Sequence, residues 1–233
     1  TPHAPSQALP EGNLLHYWSG ALLALMDSLS IEKTHLLGHS MGAQLAMLFA
    51  LEHPGRVHSL VLAAPAGIET FSEQEAAGLT AYAAASFPQP QTEAQIRQAW
   101  ALNFSGPLPA TTEPLIQERL QLQETPYFPT YAQVLQKGVA GMLAAPVAHR
   151  LGELRMPVLL LFGADDGLIP NRYLHPGLTT EQLAQQGKAA IPGSQLVLLP
   201  SAGHLLQFEQ PEAFTKAVLL FLNQKSTTKK STP

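Results

Sequence analysis

The chain has 233 residues and a formal charge of −4; 45% of its residues are apolar and only 13% charged. That is enough apolar material for one substantial core with an inserted subdomain, and the acidic balance argues against nucleic acid or an anionic membrane as an electrostatic partner. Without cysteine there is no disulfide, thiol nucleophile or thiolate metal site, and no run approaches the roughly 18 apolar residues of a membrane span.

Residues 1–13 read as a proline-rich loop (Pro2, Pro5, Pro10). A helix is expected from about Leu14 to Leu29, with Leu14, Leu15, Trp18, Leu22, Leu25 and Met26 on its buried side. Lys33 to Leu37 reads as a short buried strand, and Met41 to Glu52 as a helix carrying Leu45, Leu48 and Phe49, stopped by Pro54-Gly55. Between them lies Gly38-His39-Ser40-Met41-Gly42. A serine on a tight strand-to-helix turn is a nucleophile elbow. The turn leaves little room two residues before and after the serine, and it holds the serine in a strained conformation with its hydroxyl exposed. The helix N-terminus then offers free N–H groups to developing negative charge, that of Met41 foremost. The pentapeptide alone would arise by chance in roughly one chain in ten of this length. Context therefore has to carry the argument.

A further strand is expected at about Val57 to Ala63. From about Glu69 to Gly152 the strand pattern gives way to helices; Thr92-Glu93-Ala94-Gln95 has the form of a capping box, and Thr111-Thr112-Glu113 opens another helix. Eight aromatics fall here: Phe71, Tyr82, Phe87, Trp100, Phe104, Tyr127, Phe128 and Tyr131. Most are expected to pack these helices, a few to line an apolar acyl or aryl pocket. Pro157 to Phe162 is a continuous apolar run, as a central parallel strand should be. It ends in Gly163-Ala164-Asp165-Asp166. The chain has only three aspartates, so a pair at the C-terminal end of a buried strand, where functional groups of open α/β sheets collect, is conspicuous. After a long segment from Asn171 to Ile191, Gln195 to Leu199 reads as the next strand. Pro200-Ser201-Ala202-Gly203-His204 follows, with Gly203 expected to allow a sharp turn. Of nine histidines, His204 alone comes after the acid, ends a strand and precedes a helix, which starts near Pro211. His39 is expected to pack or hydrogen-bond locally. Lys225 to Pro233 is a polar tail, read as disordered.

The order Ser40, aspartate, His204 on alternating strands resembles the α/β-hydrolase superfamily, and Gly-His-Ser-Met-Gly is similar to the elbow of its esterase and C–C-hydrolase branch. Gly-x-x-Asp-x-x-x-Pro at Gly163 to Pro170, and Gly-His followed by Glu209-Gln210-Pro211-Glu212-Ala213-Phe214, carry the rest of the likeness, from about residue 14 to 222. The motif's spacing assigns the acid to Asp166, not Asp165. The resemblance implies a mostly parallel sheet with an inserted helical lid: a first core segment at 1–68, the lid at 69–152, a second core segment at 153–224 and the tail at 225–233. It implies Ser40 as nucleophile, His204 as base, Asp166 as its orienting acid and the Met41 N–H in the oxyanion hole. No metal or organic cofactor is implied, and the substrate is expected to be a small molecule with an apolar acyl or aryl group.

The family also places a strand ending in His-Gly upstream of the first helix, and the residue after it supplies the second oxyanion donor. This chain contains no His-Gly and starts at Thr1. It is expected to be N-terminally truncated, the C-terminal two-thirds of a hydrolase, with a sheet of about four strands and the strand before Ser40 at its edge. Hydrolysis of a carboxylic ester through an acyl-enzyme is the expected reaction. The alternatives are hydrolysis of a carbon–carbon bond in a vinylogous diketone and a non-catalytic protein on the same scaffold. Dehalogenase and epoxide-hydrolase chemistry is excluded because it needs a carboxylate at position 40. A soluble protein is expected, with the cytoplasm favoured.

Overall fold

The computed structural model describes residues 9–224, so the tail read at 225–233 lies outside the described residues. The described residues form two compact units: residues 31–69, 102–106 and 147–224 in one, and residues 9–30, 70–101 and 107–146 in the other.

The first of these is the sheet unit. Its strands are β1 (Thr34–His39), β2 (Val57–Ala63), β3 (Val158–Gly163) and β4 (Gln195–Leu199), all parallel and in the spatial order of the chain. This is the expected α/β architecture, with the strand before Ser40 at one edge among the described residues. Every residue of β3 is buried, because parallel strands carry helices on both faces. On one face, Val61, Ala63, Leu159, Leu161 and Leu199 cluster with Phe221, and Phe214, Ala217 and Val218 of α9 (Pro211–Asn223) pack against them. On the other, α7 (Thr180–Ala190) lies so close that a Cβ on Gly187 would sit 2.7 Å from Ile68. Each fully buried leucine here contributes on the order of 2 kcal/mol.

β1 departs from the sequence reading. It runs two residues further than Leu37, through the elbow glycine to His39, paired with Ala63 of β2. It is also only partly buried: His35 is exposed and Leu37 is 54% exposed. Successive side chains of a strand point to opposite faces of the sheet, and the face that carries His35 and Leu37 is the less covered one here.

The second unit is helical. It comprises α1 (Leu14–Ser28), α3 (Glu73–Ser86), α4 (Glu93–Ala101), α5 (Glu113–Gln123) and α6 (Phe128–Ala144). The remaining helices, α2 (Met41–Glu52) and α8 (Leu206–Glu209), belong to the sheet unit. Asn13 caps α1: its Oδ1 accepts from Leu15 N–H (2.9 Å) while its Nδ2 donates to the Gly141 carbonyl of α6 (3.0 Å). α1 thus groups with the helices of the 69–152 segment, whereas the sequence division set it with the core strands. On α1, Ser19 is fully buried and Leu25 is 54% exposed, the reverse of the expected stripe at those two positions. Capping boxes open α3 (Ser72 with Glu75) and α4 (Thr92 with Gln95).

Candidate active site

Ser40 follows the last residue of β1 and precedes the first turn of α2. Its backbone sits at φ 54°, ψ −121°, a left-handed conformation that costs a non-glycine residue on the order of 1–3 kcal/mol unless its surroundings impose it. Here they do. Ser40 N–H donates to the Ala63 carbonyl of β2 (2.9 Å), and the Ser40 carbonyl accepts from Ala43 (3.0 Å), Gln44 (3.3 Å) and Ala66 (3.2 Å). Gly38 is required by sterics, since a Cβ there would lie 2.6 Å from the Gly42 carbonyl carbon. Gly42 is not: a Cβ on it meets nothing within 4 Å. The crowding is one-sided because the Gly42 backbone presses on residue 38 while its own side-chain position faces open space. The Met41 N–H has no acceptor among the described residues, as befits the first turn of a helix.

The aspartate pair separates cleanly. Asp165 is exposed, whereas Asp166 is 0% exposed. Asp166 Oδ1 accepts from Leu168 N–H (2.8 Å) and Ile169 N–H (3.0 Å), which leaves Oδ2 for the His204 Nδ1–H at 2.8 Å. His204 is itself 5% exposed. A buried carboxylate with its lone pairs so occupied fixes the imidazole tautomer, proton on Nδ1 and Nε2 left as acceptor.

The acid and histidine loops touch backbone to backbone. A Cβ on Gly163 would collide with the Ala202 and Gly203 carbonyls, and Asp165 N–H donates to the Ala202 carbonyl (2.9 Å). Gly203 is not at a left-handed turn; Ser201 takes that role at φ 51°. Gly203 is there for want of room, its Cβ position being 2.7 Å from the Asn103 carbonyl oxygen and 2.9 Å from Ser105 N.

His39 joins the turn at Ser40 to the histidine loop. Its Nε2–H donates to the His204 carbonyl (2.8 Å), and the two rings lie 4.7 Å apart. Burial lowers the His39 pKa from its ordinary value, outweighing that hydrogen bond, which raises it. The structure therefore joins Asp166 directly to His204 and the residue before Ser40 to the His204 backbone. No hydrogen bond joins the Ser40 hydroxyl to His204 among the described residues; such bonds are commonly long before substrate is bound. No cluster of three or more His, Cys, Asp or Glu side chains suited to a metal occurs among the described residues.

In the helical unit one polar group escaped the sequence reading. Arg119 of α5 stacks its guanidinium on Phe128 (5.1 Å) and Tyr131 (4.7 Å), and its buried Nη1 has no hydrogen-bond partner. Nothing in the local pattern marks it out, because the partners that shape its surroundings come from the next helix.

A family model described as the alpha/beta hydrolase fold matches residues 16–211. The chain belongs to this α/β-hydrolase family. Among curated relatives of this hydrolase, 2-hydroxy-6-oxo-6-phenylhexa-2,4-dienoate hydrolase of Burkholderia cepacia is 31% identical over 207 residues, 87% of this chain and 67% of that protein. A 2-hydroxy-6-oxononadienedioate/2-hydroxy-6-oxononatrienedioate hydrolase of Comamonas testosteroni is 31% identical over 203 residues, 85% of this chain and 65% of that one. The chain thus spans about two-thirds of the length of these relatives. The crystal structure of a probable hydrolytic enzyme from Pseudomonas aeruginosa superposes with a TM-score of 0.78 at 25% identity, covering 94% of this chain and 71% of that one. Family and relatives together make this α/β-hydrolase an enzyme of hydrolase type. The names of these two relatives describe hydrolases of hydroxy-oxo-dienoates. No helix among the described residues is long and apolar enough to cross a membrane.

Proposed function

We propose that this chain belongs to an enzyme that hydrolyses a carbon–carbon bond in a 2-hydroxy-6-oxo-dienoate, with Ser40, His204 and Asp166 as its triad. The observation that carries this reading is the 31% identity to two hydrolases named for that substrate class, shared over most of this chain. Ester hydrolysis, the first expectation from sequence, gives way to it. A serine elbow with a buried His–Asp pair serves either reaction, so the site alone does not choose.

The chemistry follows from the substrate's conjugation. Ketonisation of the dienol protonates the carbon beside the oxo group, so that the bond between them joins an electrophilic carbonyl to a carbon that can leave as a stabilised dienolate. Attack at the oxo carbon, by Ser40 or by water, places negative charge on its oxygen. The free Met41 N–H at the start of α2 is suited to receive that charge. His204 Nε2 takes the proton of the nucleophile and returns it to the departing carbon; Asp166 Oδ2 holds the imidazole in the tautomer this needs. Bond cleavage consumes one water and yields a carboxylic acid and a hydroxydienoate.

The test is a direct competition. A meta-cleavage dienoate, followed by loss of its visible chromophore, and a p-nitrophenyl ester should both be offered to the purified protein. Preference for the dienoate in kcat/KM is expected. Turnover of the ester with the dienoate untouched would return the protein to the esterases.

A further inference from the structure

Five residues between α4 and the 3₁₀ turn at Ala110–Thr112, Leu102–Gly106, belong to the sheet unit although the helices before and after them do not. This strap lies along both loops of the candidate site. A Cβ on Gly167 would sit 2.8 Å from the Leu102 carbonyl, and one on Gly203 would meet Asn103, Phe104 and Ser105. The backbone on either side of His204 is held from outside its own turn. Gly203 N–H donates to Glu209 Oε2 (2.5 Å), and Leu205 N–H donates to the Asn103 carbonyl (3.0 Å). The other carboxylate oxygen, Glu209 Oε1, accepts from both Ser105 N–H (2.9 Å) and the Ser105 hydroxyl (2.7 Å). One carboxylate thus binds the strap and the residue before the histidine together.

We infer that Glu209 is a positioning residue for His204, acting by clamping the Leu102–Gly106 strap onto the histidine loop. The inference rests on the triad reading above. Glu209 touches no reacting atom. Its effect runs through the Gly203 N–H, which fixes the loop from which His204 reaches Asp166. Charge-assisted bonds to three donors hold that loop more firmly than neutral ones would. Glutamine at 209 keeps the size but can turn only one oxygen toward the donors. Its NH₂ must then face an N–H, which leaves a backbone donor unsatisfied.

The experiment uses the full chain with ¹⁵N-labelled histidine. Two readouts are taken: the far-downfield proton of the His204 Nδ1–H···Asp166 hydrogen bond, identified by its loss in Asp166→Asn, and the rate at which a fluorophosphonate labels Ser40. Glu209→Gln should retain native circular dichroism, lose the downfield resonance to exchange, and label roughly a hundredfold more slowly, the order expected when a catalytic group is displaced by about an ångström. Ser105→Ala, which removes only the hydroxyl bond, should broaden the same resonance and slow labelling less. A folded Glu209→Gln with native resonance and labelling rate overturns the inference. Should that variant fail to fold, native behaviour of Ser105→Ala overturns it instead. If the unmodified protein does not label at all, the triad reading fails, and the resonance alone still decides whether Glu209 positions His204.

Discussion

At the scale of single residues, two neighbours of identical chemistry are given different work by their burial. Asp166 spends Oδ1 on two backbone N–H groups of its own loop and so can aim only Oδ2 at His204, while Asp165 points to solvent and engages the histidine loop only through its backbone. Asp166→Asn would present an NH₂ to Nδ1, force the proton to Nε2 and remove the base. Dienoate turnover should fall by about four orders of magnitude with the fold intact. Asp165→Asn should stay within a few-fold of native, and equal losses in the two variants would refute the assignment. His39 makes a second prediction. Its partner is a carbonyl, so Nε2 must carry a proton, and burial keeps the ring neutral by depressing its pKa. The sign follows. Below the ordinary histidine value of 6.5 the unfolded chain binds a proton that the folded chain resists, so this contribution to stability is present above that pH and lost as pH falls toward the folded pKa. Urea midpoints should drop between pH 7.5 and 5.5, and His39→Gln should flatten that part of the slope.

At the scale of elements, the glycines report where backbones meet. Gly38→Ala and Gly203→Ala each drive a methyl into main-chain atoms that cannot move aside, and should cost about 1–3 kcal/mol in urea unfolding. Gly42→Ala has free space and should cost far less; a large loss there would mean that the turn is tighter than the structure shows. This asymmetry also marks the limit of what the sequence reveals. The strands at 57–63 and 195–199 are legible because apolar runs bounded by turn residues signal buried parallel strands without help from elsewhere. β1 reads short because its last two residues, Gly38 and His39, look like a turn, and only pairing with β2 keeps them extended. The tight turn at Ser40 is legible from local spacing, and the pairing of Asp166 with His204 from the motif that carries the family resemblance. The reason for Gly203 is not, because the atoms that crowd it are about a hundred residues away in the chain. The same distance hides the bond between Glu209 and Ser105, and the stacking of Arg119 likewise belongs to packing and not to local pattern. Thr179 and Gln182 form a capping box at α7 that spacing alone could have revealed.

For the whole molecule, the sheet's exposed side bears on solution behaviour. β4, the strand at the other end of the sheet, packs against α7 and α9, and β3 is buried throughout. β1 has a partner only in β2 among the described residues, and it presents Leu37 at 54% exposure beside an unpaired row of N–H and C=O groups. Unpaired edges with exposed apolar residues template pairing with a second chain, and a lysine on the edge is the usual protection. The exposed face of this strand carries His35 and Leu37 but no lysine. Leu37→Lys should therefore suppress concentration-dependent self-association in sedimentation velocity while leaving the thermal midpoint within a degree or so, because an exposed side chain gives up little burial on replacement. Leu219→Lys, on the exposed side of α9, controls for added charge: it removes as much apolar surface without protecting the edge. If the two variants reduce association equally, net charge governs the behaviour and the edge does not. If Leu37→Lys alone acts, the strand leading to Ser40 is where copies of the chain meet.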